Sequence, residues 1–142
     1  MNHVILKTSL LLAAFGLFSV TAFAASPAPK GAQAYLISPQ DGETLKSPVT
    51  VRFGLSGMGV APAGLEKGMT GHHHLLIDLE KMPDLTQPLP SDAHHRHFGG
   101  GQTEVSLELS PGKHSLQLLL GDKTHIPHNP PVFSKVIHIT VQ

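Results

Sequence analysis

Val49-Thr50-Val51-Arg52-Phe53-Gly54-Leu55 alternates without a break: Val49, Val51, Phe53 and Leu55 fall on one side of an extended chain, Thr50 and Arg52 on the other. Successive side chains of a strand point to opposite faces, so the pattern specifies a strand with one face on a core and one in water. Thr103-Glu104-Val105-Ser106-Leu107-Glu108-Leu109 repeats it with Val105, Leu107 and Leu109 inward, and Ile137, Ile139 and Val141 repeat it near the C-terminus. Residues 34–37, 72–79 and 114–120 are further strand candidates, while helical periodicity is nearly missing. Ser38-Pro39-Gln40-Asp41-Gly42 and Ser110-Pro111-Gly112-Lys113 supply turns, since proline presets φ and glycine accepts positive φ. The second turn separates its strands by so little that a hairpin is expected there. About six short strands with such punctuation predict an all-β fold: an immunoglobulin-like antiparallel β-sandwich with long His-bearing loops. The cysteines and tryptophan of antibody domains are absent, so only the architecture is implied.

The first 24 residues have the three parts of a secretory signal peptide. Lys7 gives the charge, Leu10-Leu11-Leu12-Ala13-Ala14-Phe15-Gly16-Leu17-Phe18 the apolar centre, and Ala22-Phe23-Ala24 the small-x-small cleavage site. The apolar run is shorter than the ~20 residues of a spanning helix, so no membrane span is expected after cleavage. Residues 25–33 read as a Pro/Ala-rich linker expected to be disordered, and residues 34–142 as a single domain. The whole points to a periplasmic or secreted protein. Without Lys7 the ten basic residues become nine against ten acidic, a balance unlike that of a nucleic-acid binder. With no cysteine in the 142 residues, an exported domain depends on its apolar core and has no thiolate for catalysis or metal binding.

Histidine is the outlier. There are eleven, against ten lysines plus arginines, and ten of them follow the leader. In Gly71-His72-His73-His74-Leu75-Leu76-Ile77-Asp78, His73 shares a face with Leu75 and Ile77 and is expected in the core. His72 and His74 share the opposite face, close enough to chelate one ion. Asp92-Ala93-His94-His95-Arg96-His97-Phe98-Gly99-Gly100-Gly101 contains a second His-x-His pair, His95 and His97, before glycines that permit close backbone approach. His125-Ile126-Pro127-His128-Asn129-Pro130-Pro131 holds a third pair, His125 and His128, in a loop stiffened by prolines. These clusters lie in or beside three long connections, residues 56–71, 82–102 and 121–132, and long loops in a compact domain often carry function.

Neutral imidazole is the commonest metal ligand, and an all-imidazole set without thiolates suits Cu2+ or Zn2+. The candidate ligands are His72, His74, His95, His97, His125 and His128. The strand pair forms the rigid half of the site and the loop pairs close it, which suggests metal storage, delivery or tolerance rather than catalysis. Two alternatives carry different consequences. An open coordination position would make the site a metal-dependent enzyme. A metal-free histidine network would make the domain an envelope interaction module with a protein partner, responsive to pH. Asp78 is a candidate to orient a histidine from behind, and His114 and His138 read as ordinary surface residues. Neither Gly54-Leu55-Ser56-Gly57-Met58 nor the Gly99-Gly100-Gly101 run has the spacing and context of a nucleophile elbow or a phosphate loop.

The strings GHHHLLID, HRHFGGGQTEVSLELSPGKHSLQLLLGD and HIPHNPPV, in this order, resemble the exported bacterial domain-of-unknown-function family 4399. The resemblance runs from about Ala34 to the C-terminus. It implies a secreted or periplasmic bacterial domain and brings no established activity.

Overall fold

The computed structural model describes residues 24–142; apart from Ala24, the expected leader lies outside the described residues. Among these, the alternating segments become strands β1 (Gln33–Ser38), β3 (Val49–Ser56), β5 (Thr70–Ile77), β7 (Glu104–Leu107), β8 (Gly112–Gly121) and β9 (Ile137–Val141). Three short strands join them: β2 (Thr44–Leu45), β4 (Gly59–Val60) and β6 (His95–His97). One sheet runs β1-β3-β7 and the other β2-β9-β8-β5-β4, with β6 also paired to β5. The long pairings are antiparallel, and only the short β2–β9 and β4–β5 contacts are parallel. The architecture is therefore an all-β, two-sheet sandwich. No helix among the described residues is long and apolar enough to cross a membrane.

The alternation decides what lies between the sheets. Val49, Val51 and Phe53 of β3 and Leu107 of β7 meet Leu75 and Ile77 of β5, Leu116, Leu118 and Leu120 of β8, and Ile139 and Val141 of β9. Thr50 and Arg52 face water, as the period requires. β5 departs from the half-buried pattern because both its faces are covered. On its far side Leu76 and Leu119 pack with Leu89, flanked by Leu79, Met82 and Leu85, all from the connection between β5 and β6. That connection is thus a lid over the second sheet.

Three expectations need correction. The Ser110-Pro111-Gly112-Lys113 turn is no hairpin: β7 pairs with β3, whereas β8 pairs with β5 and β9. The turn carries the chain from one layer to the other, which lets Leu107 and Leu116 enter the core from opposite sheets. β5 ends at Ile77 rather than Leu79 because Asp78 turns into the left-handed region, φ 54°. Its carboxylate accepts from the Ser115 N–H and from His114 Nδ1, while His114 Nε2 meets the Ser110 carbonyl at 2.8 Å. Asp78 therefore fixes His114 at the strand end and orients no histidine of the other clusters. Finally, the expected linker is held in place. Pro27 bridges to Asn129, the Ala28 N–H donates to the Asn129 carbonyl at 3.2 Å, and the Asn129 N–H donates to the Ser26 carbonyl at 3.0 Å.

Leu118 is fully buried between the sheets, whereas the Arg52–Glu104 ion pair lies in solvent. Leu118→Ala should cost about 2–5 kcal/mol through lost burial and a residual cavity. Arg52→Ala should cost less than about 1 kcal/mol. Urea unfolding of the two variants measures the contrast.

Candidate functional site

β5 places its histidines by the period of the strand. His72 and His74 point away from the main core, toward the lid side, and His73 points in. β6 then aligns antiparallel to β5, setting His97 directly opposite His74. The next residue, Phe98, explains why β6 stays there: it enters the core against Phe53, ring centroids 4.8 Å apart, and its N–H donates to the His73 carbonyl. His125 reaches the same place from the loop after β8. Its ring lies 5.1 Å from that of His72, 4.7 Å from His97 and 6.1 Å from His74, centroid to centroid.

Four imidazoles from two strands and one loop therefore form one cluster. Ligand nitrogens of His72, His74 and His97 all lie within 4.8 Å of one another. His72 Nε2 and His74 Nε2 are 3.0 Å apart; two nitrogens bound at 2.0–2.1 Å to a tetrahedral ion stand about 3.3 Å apart. Two glycines make room for this crowding. A Cβ on Gly121, the cross-strand partner of His72, would meet His74 Nε2 at 2.9 Å, and one on Gly99 would meet His97 Nε2 at 2.5 Å. The glycine run after His97 thus does what its composition suggested.

Burial biases His72, His74 and His97 toward the neutral form. Burial lowers His72 to about 4, aided by His125 and His97, with the Asp122 carboxylate pulling the other way. Burial and the neighbouring His72, His97 and His125 lower His74 to about 3. Burial, then His125, also lowers His97. Neutral rings have a free nitrogen lone pair, the form that ligates metal. His72 Nδ1, His74 Nδ1 and His97 Nε2 are buried with no hydrogen-bond partner among the described residues, an uncommon condition for buried polar atoms. The donor set fits a borderline cation that takes nitrogen ligands.

His125 is the strained member. Its φ is 69°, a conformation that non-glycine residues adopt at a cost of order 1–3 kcal/mol. The turn beneath it compensates: the His125 N–H donates to the Asp122 carbonyl at 2.9 Å, and the Leu89 N–H of the lid donates to the His125 carbonyl at 2.9 Å. Asp122 itself is buried. Burial would raise its pKa, but hydrogen bonds from Thr124, Ser26 and Ile126 outweigh that and hold the carboxyl below its usual range.

Of the six candidate ligands, the structure brings together His72, His74, His97 and His125. His95 shares their face but pairs opposite Leu76, two residues farther along, with Nδ1 2.9 Å from Asp92 Oδ1. His128 lies in the wall of a cleft of about 450 Å3, its Nε2 donating to the Thr70 carbonyl. His73 is in the core as expected, tilted on Phe53 at 5.2 Å, with both ring nitrogens unpartnered. Asp122 was not singled out from sequence, since an aspartate in a polar loop carries no signal until its partners are seen.

An all-β sandwich whose second sheet gathers four histidines under a lid is the class of domain these features define. Residues 51–142 match the family described as domain of unknown function (DUF4399), and the chain belongs to that family. No curated protein and no solved structure matches the chain.

The buried histidines set the sign of the pH response. Folded-state pKa values near 3–4 lie below the ordinary 6.5, so the unfolded chain binds more protons between those limits. Stability is full above pH 6.5 and falls on acidification toward pH 4, by roughly 1.4 kcal/mol per pH unit for each such histidine. The hydrogen bonds to Asp78 and Ser110 outweigh burial at His114 and raise its pKa, so its smaller contribution is present in acid and fades as pH rises above 6.5. His73→Leu removes two unpartnered core nitrogens and should flatten the acid limb, raising stability at pH 5 by about 1 kcal/mol or more. Denaturant titration between pH 4 and 8 measures both effects.

Proposed function

We propose that this is an exported, periplasmic or secreted bacterial protein that binds one transition-metal ion, Cu2+ or Zn2+, for storage, delivery or tolerance. The proposed ligands are His72, His74 and His97 on strands, with His125 from the loop. The observation that carries the proposal is the convergence of four imidazoles, those of His72 and His74 buried and those of His97 and His125 half-buried, with three ligand nitrogens within 4.8 Å. Three features support it. Burial keeps His72 and His74 unprotonated near neutral pH, glycines clear the space beside the cluster, and no thiol competes for the ion in a chain without cysteine. The leader-like pattern of residues 1–24 supports export. At a nitrogen site of this kind Cu2+ binds more tightly than Zn2+.

One observation favours a second reading. The 3.0 Å separation of the His72 and His74 Nε2 atoms also suits an N–H···N hydrogen bond between two neutral rings. In that reading the cluster is a metal-free network and the domain an envelope interaction module.

Elemental analysis of the untagged mature domain, together with its melting temperature, separates the two. One equivalent of copper or zinc is expected, lost in the His72→Ala/His74→Ala double variant and retained in His95→Ala and His128→Ala. Free ion at about a hundred times its Kd should add roughly 2.7 kcal/mol, a rise on the order of 10 °C in Tm. A metal-free protein whose Tm ignores both ions would leave the network reading in place.

A further inference from the structure

The cluster is unevenly held. Three of its histidines sit on paired strands, whereas His125 depends on a turn, and that turn is organised around one side chain. Asp122 Oδ1 accepts from the Thr124 N–H and Thr124 Oγ1, both at 2.8 Å, and from the Ile126 N–H at 3.1 Å. Its Oδ2 accepts from the Ser26 N–H at 3.2 Å and Ser26 Oγ at 2.8 Å. The backbone adds two bonds, Asp122 N–H to the Ile126 carbonyl and His125 N–H to the Asp122 carbonyl. All five groups facing the carboxylate are donors, so it is ionised, and no lysine or arginine pairs with it among the described residues. A buried carboxylate so completely engaged, three residues before a strained histidine, fixes that histidine's backbone.

From this arrangement we infer that Asp122 is the positioning residue of the metal centre. By closing the turn on both sides of His125 and tying it to the N-terminal strap at Ser26, it sets whether the ion receives a fourth nitrogen. The inference rests on the metal reading above. It assigns the three strand histidines to capture and the Asp122–Ser26 lock to the final coordination number. Outer partners that orient a ligand usually contribute 10–100-fold to metal affinity, and here the partner orients the ligand's backbone rather than its second ring nitrogen.

The test is copper titration of the mature domain, with Cu2+ alone as the probe and nitrogen hyperfine structure in the EPR spectrum as the second readout. Asp122→Asn keeps the side chain's shape but presents an amide to Ser26. It should lose about 10–100-fold in affinity and change the spectrum from four coordinated nitrogens to three, as His125→Ala should. The Asp122→Asn/His125→Ala double variant should bind no more weakly than His125→Ala alone. Ser26→Ala, which keeps the Asp122 charge and removes one of the five hydrogen bonds to its carboxylate, provides a milder variant: a loss of a few-fold with partial conversion to the three-nitrogen spectrum is expected. Wild-type affinity and a four-nitrogen spectrum in both Asp122→Asn and Ser26→Ala would overturn the inference while leaving the metal site standing. Fully multiplicative losses in the double variant would overturn it too, since Asp122 would then act independently of His125. A wild-type protein that takes up no copper fails at the first titration and removes the metal reading itself.

Discussion

Everything at the cluster depends on β5 being buried on both faces. A strand covered on one side offers its alternate residues to water, where imidazoles titrate near neutrality and move freely. Here Leu75 and Ile77 hold one face against the opposite sheet, and Leu76 holds the other against Leu119 and Leu89. The strand cannot slip by one residue without exchanging His73 for His72 and His74. Register, burial and ligand spacing are therefore one constraint, enforced by apolar packing worth about 1.5–3 kcal/mol for each large side chain.

That constraint also governs the chemistry. In water an imidazole meets protons and metal ions in competition, with a crossover near pH 6.5. Burial at His72 and His74 disfavours the imidazolium, so protons compete weakly there. Neutral rings crowded together without a shared proton or cation leave lone pairs and N–H groups facing one another. A dication or a hydrogen-bond chain resolves that crowding, and the two outcomes have opposite dependence on added metal.

Much of the framework was legible because periodicity is a local signal. Val49, Val51 and Phe53, and likewise Leu107, Ile139 and Val141, occupy the core that their spacing implied. The same rule separated His73 from His72 and His74. Short strands escaped it: the two residues of β2 or β4 have no period to read, and β6 exists because Phe98 and the edge of β5 hold it. The layer change at Ser110-Pro111-Gly112-Lys113 escaped for another reason. Turn residues specify a reversal or a bend but not which sheet the next strand joins. At the cluster, the spacing within each pair was visible while the partition between pairs was not. His97 and His95 are equivalent in sequence, and only the pairing of β6 places the first opposite His74 and the second opposite Leu76. His125 and His128 are separated in the same way, by a turn that Asp122 builds.

The strap at Ser26–Ala28 has a practical consequence. Ser26 donates to Asp122 and Pro27 bridges to Asn129, so anything fused just upstream is delivered to the loop that carries His125. An oligohistidine handle placed there would bring six or so competing imidazoles beside the native four and obscure every metal stoichiometry measured on the fusion. The other end is the safer attachment point. Gln142 is exposed at the end of β9, its N–H donating to the Leu45 carbonyl of β2 at 2.9 Å, and a cleavable C-terminal handle leaves the strap and its lock untouched.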